Sequence, residues 1–144
     1  MLIHLLSSKK LEPTIYPNSS PEIQYTGQWV PTTIRDGNWV KTNEHLASAS
    51  MKFSGARAVA IHGPINYGYW NYSVEIDGKA MLPPGDGPAA FNSSTWWLIR
   101  DTILYYADDL NEGEHTIKMI HLPNKVFWSS SFTSFEVWRS PSSP

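Results

Sequence analysis

The sequence contains no cysteine among its 144 residues, and charged residues make up only 17% of it. The absence of cysteine excludes disulfide staples, thiolate zinc sites and cysteine nucleophiles. The formal net charge is -2 and no run of basic residues occurs, so nucleic acid and anionic membrane surfaces are not expected as partners. No apolar run approaches the length of a membrane span, and none is predicted.

The sequence also lacks a sustained apolar repeat of 3.6 residues, so it predicts no amphipathic helix. Alternation with a period of two occurs instead, most clearly between Leu46 and Gly78. Two alternating stretches there flank a short apolar run around Val59, which predicts three strands. We expect them to form an antiparallel unit with one buried face. The dipeptide Asp77-Gly78 predicts a hairpin turn, because both central positions of a type I′ turn need a positive φ.

The alternation also predicts which side chains form the core. Seven apolar residues on inward-facing positions are expected to be almost fully buried: Phe53, Ile61, Val74, Ile76, Ile117, Phe135 and Val137. Trp29, Trp70 and Trp138 occupy matched strand positions and are expected to pack in the core as well.

The length suits one domain with a core that is stable without staples. Residues 1–21 are rich in proline and serine and predict an N-terminal arm, with a short strand at 14–16. Residues 22–139 are expected to form the folded domain, and residues 140–144 a disordered tail. The apolar run near the N-terminus is too short for the core of a signal peptide. Three Asn-x-Ser sequons, at Asn18, Asn71 and Asn92, nevertheless favour a secreted or extracellular location over a cytoplasmic one.

Several short motifs follow one another in an order typical of a known family. The chain has IQYTGQW, then ASASMKFSG, AVAIHG and YGYWNYSVEIDG, and finally GEHTI and FTSFEVW. This order resembles the galactose-binding-domain-like jelly-roll modules of many fungal secreted and membrane-anchored proteins, over about Glu22 to Trp138. The resemblance implies an all-β, antiparallel jelly-roll β-sandwich. Relatives of this fold often bind carbohydrate through loops at one end.

Four tryptophans lie in or beside loops, where an exposed ring can cover the apolar face of a sugar while polar groups bond its hydroxyls. The predicted ligand site consists of Trp39, Trp96, Trp97, Trp128, Arg100 and Asn66, with Asn38, Asp101 and Asn124 as further polar candidates. The alternative is that these rings anchor loops beneath the ends of the sheets. The leading hypothesis is a non-catalytic module that binds a glycan or another small molecule.

Two other functions remain open at this point. A small enzyme would use a pocket among the same loops, with His62 or His121 acting alongside Asp101 or Arg100. A structural or protein-interaction domain would use neither set. No nucleophile elbow, phosphate loop or dinucleotide fingerprint supports the enzyme.

An acidic turn raises the question of a metal site. It contains Asp108, Asp109, Glu112 and Glu114. The turn lacks the spacing of a calcium-binding loop, so a solvated turn is predicted, with no metal and no cofactor.

Overall fold

The structure of the protein is a computed structural model that describes residues 10–65, 72–82, 98–122 and 129–141. Over these ranges the chain forms twelve strands and no helix, so none of the described residues belongs to a helix that could cross a membrane. All strand pairs are antiparallel. The chain is therefore all-β, as its lack of helical periodicity predicts.

The strands form three sheets. The first sheet has the order β1 (Glu12–Pro17), β12 (Ser134–Arg139), β6 (Ala56–Ile65) and β9 (Ile99–Ala107). The second has the order β2 (Ile23–Thr26), β5 (Ser48–Ser54), β10 (Glu114–His121), β7 (Tyr72–Ile76) and β8 (Lys79–Leu82). The third is small, with the order β11 (Ser130–Phe132), β4 (Val40–Thr42) and β3 (Val30–Pro31).

The hydrophobic core lies between the inner faces of the first and second sheets. All seven residues predicted for the core are buried, with exposed fractions of 7% or less: Phe53, Ile61, Val74, Ile76, Ile117, Phe135 and Val137. Alternation along the strands thus identified the inward-facing positions correctly, because successive side chains of a strand point to opposite faces.

The expected antiparallel unit between Leu46 and Gly78 is wrong in one respect. Its three strands exist as β5, β6 and β7, but they do not lie side by side in one sheet. β5 and β7 belong to the second sheet with β10 between them, whereas β6 belongs to the first. The chain leaves β5 through Gly55, whose φ of 68° allows a sharp change of direction. The hairpin turn after β7 is confirmed, with φ of 55° at Asp77 and 80° at Gly78.

The first strand lies within the segment predicted as an arm. β1 pairs along its whole length with β12, and Tyr16 packs against the core. The short strand expected at 14–16 is thereby confirmed and extended to Glu12–Pro17. Part of the expected arm is therefore an edge strand of the first sheet.

The strand tryptophans differ in their surroundings. Trp29 is half-buried and packs against the core, and its indole N–H is bonded to the carbonyls of Thr26 and Ser48. Trp138 is also half-buried, but it lies on the outer face of the first sheet, because its neighbour Val137 points into the core. The expected core position of Trp138 is thus wrong. Trp70 lies outside the described residues.

Candidate functional site

An open cleft of about 830 Å³ lies on the outer face of the first sheet, at the end where that sheet meets residues 31–40. Its lining includes charged, amide and aromatic side chains from five separate parts of the chain: Asn18, Trp39, His62, Arg100, Asp101 and Glu136. This surface is called the His62 cleft below. Its volume falls within the range typical of small-molecule sites, about 300–1,000 Å³.

Strand alternation explains why the floor of the cleft is polar. Phe135 and Ile61 point into the core, so the residues beside them, Glu136 and His62, point outward. His62 stands opposite Ser134 in the antiparallel register of β6 and β12. The position of His62 is also held through its backbone carbonyl, which accepts a hydrogen bond of 2.7 Å from the amide of Thr133.

His62 lies between two carboxylates. Its Nε2 is 2.7 Å from Oε1 of Glu136, and its Nδ1 is 3.8 Å from Oδ1 of Asp101. The side chains of His62 and Glu136 are 20% and 12% exposed, whereas that of Asp101 is 77% exposed. Asp101 can therefore turn towards a ligand with little loss of packing, while His62 and Glu136 form a fixed pair.

Trp39 supports the wall of the cleft from beneath. The guanidinium carbon of Arg100 lies 5.9 Å from the centre of its ring, within reach of a cation–π interaction. The indole is only 1% exposed. The exposed Trp39 ring expected from the sequence is therefore not found, and Trp39 fits the alternative of a loop anchor. Arg100 covers the ring and presents its own donors to solvent.

Asn18 connects the loop before Trp39 to the rest of the cleft. Its side-chain amide donates to the backbone carbonyls of Asn38, at 2.7 Å, and Thr133, at 3.0 Å. The loop also approaches itself closely at Gly37, where an added Cβ would lie 3.2 Å from the Trp39 ring. These contacts hold the loop in one position above the sheet.

The structure brings together five of the predicted site residues: Asn38, Trp39, His62, Arg100 and Asp101. It does not bring His121 to them. That side chain is fully buried on β10 in the second sheet, with Nδ1 2.6 Å from the Ser130 hydroxyl. The alternative in which His121 acts alongside Asp101 or Arg100 is therefore wrong. The other predicted residues, Asn66, Trp96, Trp97 and Trp128, lie outside the described residues, as does Asn124.

Among the cleft residues that the sequence analysis missed, Glu136 and Asn18 make hydrogen bonds that shape the site. Glu136 interrupts the otherwise apolar strand between Phe135 and Val137, and this alternation alone places its carboxylate on the outer face. The alternation along this strand could therefore have identified Glu136 from the sequence. Asn18 offered only a sequon, and nothing local indicated that its amide would reach a loop 20 residues away.

A second cleft, of about 560 Å³, lies beside the third sheet. Its described lining is Gln28, Val30, Lys41, Thr42, Asn43, Glu44 and Ser129. These residues include no histidine and no aromatic ring, and only Gln28 connects the cleft to the motifs of the sequence analysis. The His62 cleft is therefore the stronger candidate.

Comparison with known proteins gives matches to solved structures alone. No protein-family model and no curated protein matches the chain. A family 35 carbohydrate binding module from Clostridium thermocellum is 15% identical, with a TM-score of 0.61, over 90% of this chain and 99% of that one. The CBM36-1 domain of a multidomain xylanase from the hindgut metagenome of Trinervitermes trinervoides is 13% identical, with a TM-score of 0.58, over 92% and 100%.

A third match is part of an enzyme. A two-domain esterase, CEX, active on acetylated mannans and co-crystallised with mannopentaose, is 15% identical with a TM-score of 0.61. The match covers 92% of this chain but only 38% of the esterase. At such identities the similarity shows the fold, and the jelly-roll sandwich predicted from the sequence is confirmed.

One similar module, a CBM36, was solved with calcium and xylotriose, at 12% identity and a TM-score of 0.53. Among the residues that this structure describes, no group of three or more histidines and carboxylates is arranged to hold a metal ion. The four residues of the acidic turn are exposed, and Glu112 lies 3.5 Å from Arg57. The described histidines and carboxylates therefore form no cluster of the kind that holds a metal ion.

Proposed function

We propose that this protein is a non-catalytic carbohydrate-binding module whose ligand occupies the His62 cleft. The proposal depends on one observation: a guanidinium, three carboxylates, an imidazole and two amides line the same open cleft as apolar walls from Ile15, Pro17 and Val40. A sugar presents hydroxyls at its edges and C–H groups on its faces, so it needs this combination. Arg100 and Asp101 are the exposed pair that can bond neighbouring hydroxyls.

The solved structures support a choice of the first ligands to test. Carbohydrate-binding modules share the fold over nearly their whole length, and one of them was crystallised with xylotriose. The esterase CEX acts on acetylated mannans. Xylan and mannan oligosaccharides are therefore the first ligands to test. The net charge of -2 and the lack of a basic run support an uncharged glycan over nucleic acid.

The arrangement of His62 favours binding over catalysis. Its Nε2 is 2.7 Å from Glu136 and is therefore not directed at a hydroxyl that it would deprotonate, whereas its Nδ1 lies 3.8 Å from the exposed Asp101. A nucleophile paired with a general base requires such a contact.

His62, Glu136 and Asp101 also support a second candidate function. In it, the protein is a small enzyme that uses Glu136 and His62 as an acid–base pair. Turnover of xylan, mannan or their acetylated forms by the wild type, abolished in Glu136→Gln, would favour the enzyme.

The test of binding is calorimetric titration with a panel of xylan and mannan oligosaccharides. We expect a dissociation constant in the micromolar to millimolar range, because few contacts of about 1–3 kcal/mol each are made. Arg100→Ala should weaken binding roughly tenfold or more through loss of charged hydrogen bonds. Arg57→Ala is the matched control, since Arg57 is an exposed arginine that does not line the cleft. Equal affinities of Arg100→Ala and the wild type would contradict the proposed site.

The loop tryptophans remain part of the proposal. Since Trp39 is buried, stacking on the sugar falls to Trp96, Trp97 or Trp128, with Asn66 as a further polar contact. Their support is their position in the sequence, beside turn residues rather than in alternating strands. Trp97→Ala in the same titration tests this, with quenching of tryptophan fluorescence as a second readout. Undiminished binding would remove Trp97 from the site.

We further propose that the protein acts outside the cell and is related to the fungal galactose-binding-domain-like modules. Its glycan ligand class and the sequons at Asn71 and Asn92 support this. The sequon at Asn18 does not, because both N–H groups of its amide are occupied by carbonyls and a glycan would displace at least one of them. Recovery of the protein from the culture medium of its native host would support an extracellular role, and recovery from the cytosol alone would contradict it.

A further inference from the structure

The outer face of the first sheet continues beyond the His62 cleft. Along β12, Trp138 follows Glu136 on the same face, about 7 Å further on. Along β6, Ala60 and Ala58 follow His62 in the same way. The register pairs Glu136 with Ala60 and Trp138 with Ala58. The floor of the cleft therefore extends into a strip formed by Ala58, Ala60 and Trp138.

An aromatic pair crosses this strip. Tyr106 of β9 stands opposite Ala60, and its ring meets that of Trp138 edge to face, with 5.9 Å between the centres and 74° between the planes. The strands that carry the two rings are separated by β6, which places their backbones about 10 Å apart. The rings therefore lean towards each other over Ala58 and Ala60, which are only 2% and 0% exposed.

The strip remains open to solvent despite this contact. Tyr106 is 48% exposed, and the flanking side chains of Ile15 and Ile103 are 61% and 47% exposed. Ile15 stands opposite Glu136 and also lines the cleft, while Ile103 stands opposite His62. Exposed apolar side chains therefore lie on both sides of the His62–Glu136 pair, where a ligand that extends out of the cleft would meet them.

We infer that the glycan bound in the His62 cleft continues across this strip, so that the module binds an internal stretch of a polysaccharide rather than a chain end alone. The inference rests on the proposed function. One sugar would lie in the cleft against Arg100 and Asp101, and the next sugars would pass Glu136 and stack on the Tyr106–Trp138 pair.

The chemistry of the strip favours a glycan chain as its occupant. Polar groups recur beside the apolar ones: the Glu136 carboxylate borders the cleft in the same row as the Tyr106 ring, whose hydroxyl adds a further donor. A sugar chain presents alternating C–H faces and hydroxyls along its length, and aromatic rings with a polar tip match that pattern. The two rings cover Ala58 and Ala60, so an extended chain would lie on the rings and on the exposed side chains beside them.

The test is a length series, from disaccharide to hexasaccharide, of whichever oligosaccharide responds in the titration panel. Wild-type affinity should rise with length. Tyr106→Ala should weaken hexasaccharide binding roughly three- to tenfold and change disaccharide binding less than twofold, because only longer chains reach the ring. Tyr106→Phe should retain most of the affinity. Met81→Ala, which truncates a 43% exposed side chain on the second sheet, is the control and should have no effect.

The variants separate failure of this inference from failure of the proposed function. If Arg100→Ala weakens every length while Tyr106→Ala weakens none, the cleft binds sugar but the strip does not. If Tyr106→Ala weakens all lengths equally, the ring is not a contact made only by longer chains, and the inference is overturned. Should no oligosaccharide bind the wild type, both proposals are overturned. Unchanged urea midpoints for the variants show that the readout is binding rather than loss of fold.

Discussion

Gly63 provides a sharp test of how closely the strands pack behind the cleft. It follows His62 on β6 and is buried where β11 crosses that strand. A Cβ at this position would lie 2.6 Å from Cδ1 of Leu104, 2.9 Å from Cα of Phe132 and 3.1 Å from the carbonyl oxygen of Ser131. Two of these atoms belong to backbone, which cannot move without shifting a strand.

Gly63→Ala changes the free energy of unfolding through two opposing effects. Overpacking of a tight interior costs about 1–3 kcal/mol. The reduced entropy of the unfolded chain returns about 0.4–1 kcal/mol. The free energy of unfolding should therefore fall by roughly 1–2 kcal/mol. For an m-value of about 2 kcal/mol/M, the urea midpoint would fall by roughly 0.5–1 M.

The assay is urea unfolding followed by tryptophan fluorescence, with Gly113→Ala as the matched control. At Gly113 an added Cβ would meet only the exposed Asn111 side chain, at 3.1 Å, and the backbone has no positive φ. Gly113→Ala should leave the stability unchanged or raise it by up to about 1 kcal/mol. A wild-type midpoint for Gly63→Ala, or an equal loss in both variants, would refute the close packing of β6 against β11.

Two further predictions concern the second sheet. Val74→Ala should lower the free energy of unfolding by about 1–3 kcal/mol, since Val74 is fully buried opposite Met119. Glu75→Ala, on the other face of the same strand, should lower it by less than about 1 kcal/mol. If urea unfolding shows the larger loss for Glu75→Ala, the strand register is shifted by one residue. Hydrogen bonds to Asp77 at 2.7 Å and to the Asn111 carbonyl at 2.8 Å raise the pKa of His115 above 6.5, and the bond from His115 lowers the pKa of Asp77 below 3.8. The contribution of His115 to the free energy of unfolding is complete below pH 6.5 and is lost as the pH rises through the raised pKa of His115. The contribution of Asp77 is complete above pH 3.8 and is lost as the pH falls through the lowered pKa of Asp77. The stability difference between wild type and His115→Gln should accordingly be largest near about pH 5 and shrink near about pH 9, and a difference that is constant with pH would contradict the pair.

Local pattern was enough to predict the central strands and most of their inward-facing side chains. Phe53, Val74 and Phe135 were assigned to the core by alternation alone, since the period of two is a property of each strand by itself. The turn at Asp77-Gly78 followed from the φ angles that those two residues tolerate. The same logic places Glu136 on the outer face, next to inward-pointing Val137.

Burial of loop residues could not be predicted in this way. Trp39 follows the turn at Asp36 and Gly37, a position that suggested an exposed ring. Its burial depends on Arg100 above it and on Asn18, which holds the preceding loop through the carbonyl of Asn38. Those partners lie far away in sequence, and no local pattern indicates that they approach.

The sequence by itself determined that this chain is all-β, which aliphatic and phenylalanine side chains of the central strands point inward, and that candidate ligand groups exist in the form of His62, Arg100 and Asp101. Only the tertiary structure decided which strands are neighbours. β5, β6 and β7 are consecutive in the chain, yet β6 lies in the opposite sheet beside β12, and this places Glu136 against a histidine 74 residues earlier. Alternation fixes a face within one strand, whereas pairing and register depend on how two whole sheets close over a shared core. The candidate site consists of contacts between different strands and loops, so it depends on this pairing and register.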